Sequence, residues 1–151
     1  MAALRLAREI DTVMVGFRDR LHLPPGLLAE DAERNYLIAQ RIPRENDLNR
    51  WSEATQLMRS VVEKAPEWAH GHSKLAEALV LAHGSDGCGE ARSVAMRSLE
   101  LDPNTAGAYL VLGVCDQIDR KWTEAETSLR RAIELDDGLD RAHVEYGLLL
   151  D

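Results

Sequence analysis

Residues 106–137 read AGAYLVLGVCDQIDRKWTEAETSLRRAIELDD, and this stretch decides the fold class. In its second half, apolar and small residues recur every three or four positions, at Trp122, Ala125, Leu129, Ala132 and Ile133. This spacing places them on one face of an amphipathic helix. In the first half, Gly113 is small enough for a second helix to approach to the usual axial distance of about 8–10 Å. The stretch therefore predicts two helices that pack against each other as a hairpin.

The same hairpin pattern recurs along the chain in a fixed register. The spacings are 37, 37 and 34 residues for the small residues of the first helix, Ala39, Ala76, Gly113 and Gly147. They are 37 and 34 residues for the alanines of the second helix, Ala54, Ala91 and Ala125. Pro66 and Pro103 end two of the second helices, because proline cannot donate to the helical ladder. Blocks that keep one register indicate internal repeats.

These units resemble the tetratricopeptide repeat, a helix-turn-helix unit of about 34 residues. The resemblance is best over residues 106–137, where the family's signature positions hold Tyr109, Leu112, Gly113, Ala125, Leu129 and Ala132. The chain departs from the family at Asp116, where an aromatic residue is usual. The first two units also carry three extra residues each, and we place these between helices, around residues 43–50 and 83–89.

The resemblance implies an all-α fold, a right-handed superhelical solenoid of antiparallel helix pairs. Residues 1–25 form an amphipathic helix that we expect to cap the array, with a dimerisation helix as the alternative. Residues 26–68, 69–105 and 106–139 form three repeats, and residues 140–151 the first helix of an incomplete fourth. This last helix is apolar nearly all round. We expect a fragment of a longer bacterial array that self-associates through this helix to form a homo-oligomer; burial by another molecule is the alternative.

Composition argues against several functional classes. The formal net charge is -8, with 26 acidic and 18 basic residues, and no basic stripe offers a surface for nucleic acid. Polar residues interrupt the apolar runs too often for a membrane span of about 20 residues. The first residues lack the apolar core of a signal peptide. We therefore expect a cytoplasmic location, or a periplasmic one if the chain belongs to a membrane-anchored regulator.

No pattern of residues predicts catalysis, a metal site or a cofactor. His70 and His72 point in different directions on one helix, so they do not converge on a zinc ion with His83 and Cys88. No acid/base pair or Ser-His-Asp arrangement is specified. Cys88 is predicted to be an exposed thiol, and a disulfide with Cys115 is expected only under oxidising conditions. From these patterns we predict that the protein is not an enzyme.

The inner face of the solenoid remains as the candidate site. In the family this concave face binds protein or peptide, and its positions here are Tyr36, Gln40, His70, Ser73, Glu77, Leu110, Val114, Gln117, Arg141, Val144 and Leu148. Members that hold a terminal carboxylate use a clamp of Lys, Asn and Arg. Only Arg141 fits that clamp, whose other positions hold Ser73, Glu77, Val111 and Glu145. An apolar trough is predicted instead, at Leu110, Val111, Val114 and Ile118, unless these residues contact neighbouring repeats.

The leading hypothesis for function is therefore a non-catalytic scaffold that binds a peptide, a helix or a partner subunit by shape and apolar complementarity. The alternative follows from the order of segments in the first half of the chain, which is an amphipathic helix, a repeat that opens with Glu33-Arg34-Asn35-Tyr36-Leu37-Ile38-Ala39, and then residues Trp51 to Trp68. It resembles the repeat region downstream of the effector domain in bacterial winged-helix transcription activators and class III adenylate cyclases. That resemblance implies a regulatory or sensory segment.

Overall fold

The computed structural model describes residues 48–151 of the chain. It consists there of helices without strands. In chain order they are α1 (Leu48–Lys64), α2 (Ala69–His83), a short 3-10 helix (Gly84–Gly87), α3 (Cys88–Leu101), α4 (Ala106–Ile118), α5 (Trp122–Leu135) and α6 (Asp140–Leu150). The predicted N-terminal capping helix, Tyr36, Gln40 and residues 43–47 around the first predicted insertion lie outside the described residues.

The helices stack as consecutive antiparallel neighbours. α2 packs on α1 and α3, and α4 packs on α5 and also contacts α2 and α3 of the preceding hairpin. α6 packs on α5 and touches α4. Links of only three or four residues join successive helices, so each helix must turn back along the one before it. The predicted all-α solenoid of antiparallel helix pairs is confirmed.

Equivalent positions form equivalent turns between hairpins. Asp102 Oδ1 accepts a hydrogen bond from the Asn104 N–H at 2.9 Å, and Asp136 Oδ1 accepts one from the Gly138 N–H at 3.0 Å. An aspartate that accepts from the backbone two residues later stabilises a turn. The Leu-Asp pair at the ends of α3 and α5 thus repeats in structure as it does in sequence.

The extra residues of the second repeat lie where the sequence predicts them. They form the 3-10 helix Gly84–Gly87 between α2 and α3. Gly84 has a φ of 55°, which glycine adopts without steric cost. Gly87 is tightly packed, and a Cβ there would collide with the Leu79 carbonyl oxygen. Of the first insertion, residues 48–50 already belong to α1.

One continuous core runs through the described helices. Its largest fully buried side chains include Met58, Val61, Leu79, Leu110 and Leu129. The small residues of the repeat allow close packing, as predicted. A Cβ added at Gly113 would lie 2.6 Å from Leu129 Cγ, and Ala125 and Ala132 have no exposed surface. The register of the repeat therefore determines how closely α4 and α5 approach.

Candidate functional site

The concave-face positions within the described residues lie on α2, α4 and α6, the first helices of successive units. α4 lies between the other two and contacts both. α2 carries His70, Ser73 and Glu77; α4 carries Leu110, Val114 and Gln117; α6 carries Arg141, Val144 and Leu148. The structure therefore brings these nine residues onto three neighbouring helices.

A network of four charged side chains crosses this face. Glu77 on α2 forms an ion pair with Arg141 on α6, with 3.3 Å between Oε1 and Nη1. Lys74 approaches the other Glu77 oxygen at 3.1 Å, and Arg141 Nε lies 3.7 Å from Glu145. All four side chains are partly buried. The network connects the second repeat to the last helix.

The charges in this network fix the protonation of Glu77. Burial by itself would raise the pKa of its carboxyl group, because a buried carboxylate loses hydration. The positive charges of Lys74 and Arg141, and the hydrogen bonds that both donate, outweigh this effect and hold the pKa of Glu77 below its ordinary value. Glu77 is therefore ionised at neutral pH and binds the Arg141 guanidinium.

The predicted apolar trough lies beside this ion pair and is closed. Leu110 and Val114 are only 2% and 8% exposed, and Val111 is also buried. With Val80, Glu77 and Arg141 they line a shallow recess that has no room for a water molecule. In this arrangement Leu110 and Val114 contact neighbouring repeats, which is the alternative that the sequence leaves open.

Other concave positions are also engaged within the protein. The Ser73 hydroxyl is buried and donates to the His70 carbonyl at 3.0 Å, and Gln117 Nε2 donates to the Glu145 carbonyl at 2.9 Å. The His70 ring packs at a tilt against Trp68, 5.5 Å between centroids. Burial, with the positive charge of Lys74, lowers the pKa of His70 to about 4. His70 is therefore neutral at physiological pH.

Three apolar side chains of the predicted concave face and trough remain accessible, one on α4 and two on α6. Val144 and Leu148 are 60% and 64% exposed, and Ile118 at the end of α4 is 41% exposed. Val144 and Leu148 occupy the same repeat positions on α6 that Leu110 and Val114 occupy on α4. Four residues separate each pair, so they share one helical face. Most of the accessible apolar surface of the site is therefore on α6, and Ile118 adds a smaller part at the end of α4.

The structure corrects the prediction of an exposed thiol at Cys88. Cys88 is 4% exposed and forms a disulfide with Cys115, with 5.5 Å between the two Cα atoms. It begins α3, and Cys115 lies late in α4, so the disulfide links two neighbouring repeats. The sequence indicates only that both cysteines lie near one edge of the array, because the buried contact depends on how α4 packs on α3.

A second charge cluster was not predicted from the sequence. Asp116 is buried, and Arg92 on α3 donates to it at 2.5 Å and to Asp119 at 2.6 Å. Burial would lower the pKa of Arg92, but both carboxylates outweigh this and raise it. The one feature of the sequence that could have indicated this ion pair is Asp116 itself, because the repeat family usually has an aromatic residue at that position. An ion pair between repeats replaces aromatic packing there.

Residues 48–151 contain no group of three or more His, Cys, Asp or Glu side chains arranged to hold a metal ion. His72 contacts the Pro66 carbonyl at 2.8 Å. Within the same range, no helix combines the length and apolar character needed to cross a bilayer.

Comparisons with known proteins identify the fold. No family model and no curated protein matches the chain. Among solved structures, it is similar to the Sgt2 TPR domain from Aspergillus fumigatus, with 16% identity, a TM-score of 0.66, and coverage of 84% of this chain and 82% of that one.

Two further structures are similar, and both contain a bound partner. The TPR2B domain of yeast Sti1, in a pHsp70 complex, has 21% identity, a TM-score of 0.64 and coverage of 81% of this chain and 98% of that one. The second TPR domain of human RPAP3, in complex with the HSP70 peptide SGPTIEEVD, has 16% identity, a TM-score of 0.61 and coverage of 80% and 96%. The described chain therefore has the fold of tetratricopeptide-repeat domains.

Proposed function

We propose that this protein is a non-catalytic scaffold that binds a peptide, a helix or a partner subunit on its concave face. The observation that carries the proposal is the exposed apolar pair Val144 and Leu148, displayed on a rigid stack of helices. Exposed apolar groups on a fixed surface release water on binding and lose little conformational entropy. The similar domain of RPAP3 is in complex with an HSP70 peptide and that of Sti1 with pHsp70, which supports this class of function.

We further propose that the partner is not held by a terminal carboxylate. Arg141 is the one clamp position that carries a suitable cation, and its guanidinium is already bound by Glu77 and Glu145. A peptide carboxylate would have to displace Glu77, whose pKa is lowered by this same pairing. Apolar complementarity at Val144, Leu148 and Ile118 is then the source of affinity.

A selection from a random peptide library tests the proposal. Immobilised protein selects a binding peptide, and fluorescence anisotropy then measures its affinity. We expect Leu148→Asp to weaken binding by about tenfold or more, because a carboxylate would be desolvated at the contact. Met96→Asp is the matched control, since Met96 is also more than half exposed, at 52% against 64% for Leu148, but lies on α3. Equal losses in both variants, or selection of no peptide, would refute the concave-face proposal.

A separate binding experiment tests whether the protein recognises a terminal carboxylate. The peptide SGPTIEEVD, with a free or an amidated C-terminus, should show no difference in binding to the wild-type protein. Glu77→Gln releases Arg141 from its nearest partner, so only this variant should favour the free carboxylate. A strong preference for the free C-terminus in the wild-type protein would contradict our interpretation of Arg141.

The regulatory role in a bacterial transcription activator or adenylate cyclase remains a second proposal. It rests on the segment order in the first half of the chain and would couple partner binding to an effector domain. A cytoplasmic location, or a periplasmic one for a membrane-anchored regulator, belongs to the same proposal. Sequencing the parent reading frame tests it, because a neighbouring effector domain is the required result.

A further inference from the structure

The two cysteines of the chain occupy repeat positions that meet between neighbouring units. Cys88 on α3 and Cys115 on α4 form the disulfide. In the other units, the equivalent pairs of positions hold different apolar residues, namely Trp51 with Ala78 and Trp122 with Leu149. Small residues placed for packing alone would have no reason to face each other. The coincidence of both cysteines in one matched pair indicates that the bond between them is the selected feature.

Both cysteines are buried in the folded protein. Cys88 is 4% exposed, Cys115 has no exposed surface, and both belong to the continuous core. Thiol–disulfide exchange begins when a thiolate approaches one sulfur of the bond, so its rate depends on access to that sulfur. A reagent therefore reaches this disulfide only after α3 has separated from α4.

The start of α3, where Cys88 lies, is held on both sides. Just before it, Gly87 packs so closely on α2 that an added Cβ would collide with a backbone carbonyl oxygen. One turn after it, Arg92 donates a hydrogen bond to the buried Asp116 carboxylate on α4. Fraying of the first turn of α3 would have to break both contacts. The helix start therefore protects Cys88 as well as the core protects Cys115.

We propose that this packing locks the redox state of the cysteine pair: the bond forms while the chain folds in an oxidising compartment, and the folded protein then keeps it in reducing surroundings. The co-reactant is an oxidant that carries a disulfide. One cysteine thiolate attacks this disulfide to give a mixed disulfide, and the second thiolate displaces the oxidant's sulfur. Two electrons and two protons pass to the oxidant, which leaves as a dithiol. The proposal does not depend on the function proposed above.

The first test measures how fast dithiothreitol reduces the oxidised protein at a series of urea concentrations. Free thiols are trapped with a maleimide-linked polyethylene glycol and counted from the gel shift. The unfolded protein in high urea is the matched reference, because the same bond is accessible there. We expect reduction without urea to be slower by about 10³-fold or more, since only opened molecules react. A smaller difference would show that Cys88 is exposed by local fraying and would overturn the proposal.

Two variants of α3 test whether its contact with α4 controls the rate. Arg92→Gln leaves Asp116 buried without its positive partner and should speed reduction of the folded protein by about tenfold. Arg97→Gln is the matched control, because Arg97 lies on the same helix but pairs with the exposed Glu67 and Glu100. It should change the rate by less than about twofold. Equal rates in the two variants, with both folded by circular dichroism, would contradict the proposed lock.

The second test determines when the bond forms. The reduced, unfolded chain is refolded in either reduced or oxidised glutathione and is then transferred to the other buffer. We expect the state reached during refolding to persist after the transfer in both directions, because neither cysteine is accessible in the folded protein. Rapid formation or loss of the bond after the transfer would mean that the pair is a freely exchanging redox switch, which would overturn the proposal. These measurements use no bound peptide, so they are independent of the concave-face tests.

Discussion

Glu77 on α2 and Arg141 on α6 are 64 residues apart in sequence and form an ion pair with 3.3 Å between their nearest charged atoms. The pair crosses α4 and lies beside Leu110 and Val114. It thus joins the second repeat to the final helix and separates the apolar residues below from solvent. In a solenoid, where each repeat mainly contacts its neighbours, such a link adds a contact between units that are not consecutive.

Replacing Glu77 should destabilise the protein. Glu77→Gln leaves Lys74 and Arg141 partly buried without their carboxylate, and we expect a loss of about 1–3 kcal/mol in the free energy of unfolding. Urea denaturation followed by circular dichroism measures it. Glu90→Gln is the control, because the Glu90 pair with Arg59 is much more exposed and should contribute less. Equal losses would show that the Glu77 pair has no special role.

The two equivalent glycines should respond in opposite directions to alanine. Gly113→Ala introduces a Cβ that collides with Leu129, and we expect it to destabilise the protein by about 1–3 kcal/mol. Gly147→Ala has open space and gains helix propensity, so it should stabilise the protein by up to about 1 kcal/mol. Urea unfolding of both variants gives the sign of each change. A stabilising Gly113→Ala would contradict the close α4 and α5 packing.

His70 should make the protein less stable in mild acid. Burial lowers its pKa in the folded state to about 4, against 6.5 in the unfolded chain. Between these values only the unfolded state binds the proton, so stability falls as the pH drops below 6.5. The loss from neutral pH to about pH 5 should be roughly 2 kcal/mol.

The measurement for His70 is the free energy of unfolding at several pH values. His70→Gln should remove the part of the pH dependence that lies between neutral pH and about pH 5. An NMR titration of the ring gives the pKa directly. A midpoint near 6.5 for His70 in the folded protein would show that the ring is not desolvated.

Reduction of the disulfide should lower thermal stability. Cys88 and Cys115 are 27 residues apart, and closing a loop of this size stabilises the folded state by about 3.5 kcal/mol in the chain-entropy description. We expect the melting temperature to fall when a reducing agent is added. The Cys88→Ala/Cys115→Ala double variant should melt at one temperature with or without reductant. An unchanged melting temperature in the wild-type protein would mean that the disulfide contributes little.

The sequence predicts the repeat and its helices well because their determinants are local. The three-and-four spacing in α5 defines a helix face without reference to the rest of the chain. The fixed register of Ala76 and Gly113 then marks where neighbouring helices pack. The extra residues between α2 and α3 are located for the same reason, since they interrupt that register.

The state of the candidate site could not be predicted from the sequence. Leu110 and Val114 share repeat positions with Val144 and Leu148, yet the first pair is buried and the second exposed. The disulfide and the Arg92 pair with Asp116 likewise join side chains from different repeats. The matched positions all hold aliphatic residues at the same spacing, so the sequence cannot distinguish the two environments.

The sequence by itself determined the helical hairpins, their register and the small residues that allow them to pack, because these depend on periodicity and side-chain volume along one segment. Only the tertiary structure decided which side chains of the inner face reach solvent. α6 and the Glu77 to Arg141 ion pair lie beside Leu110 and Val114, whereas no described side chain covers Val144 and Leu148 to the same degree. The exposure of a side chain depends on which helices pack over it. In a repeat protein, the helices that pack over equivalent positions differ from one repeat to the next.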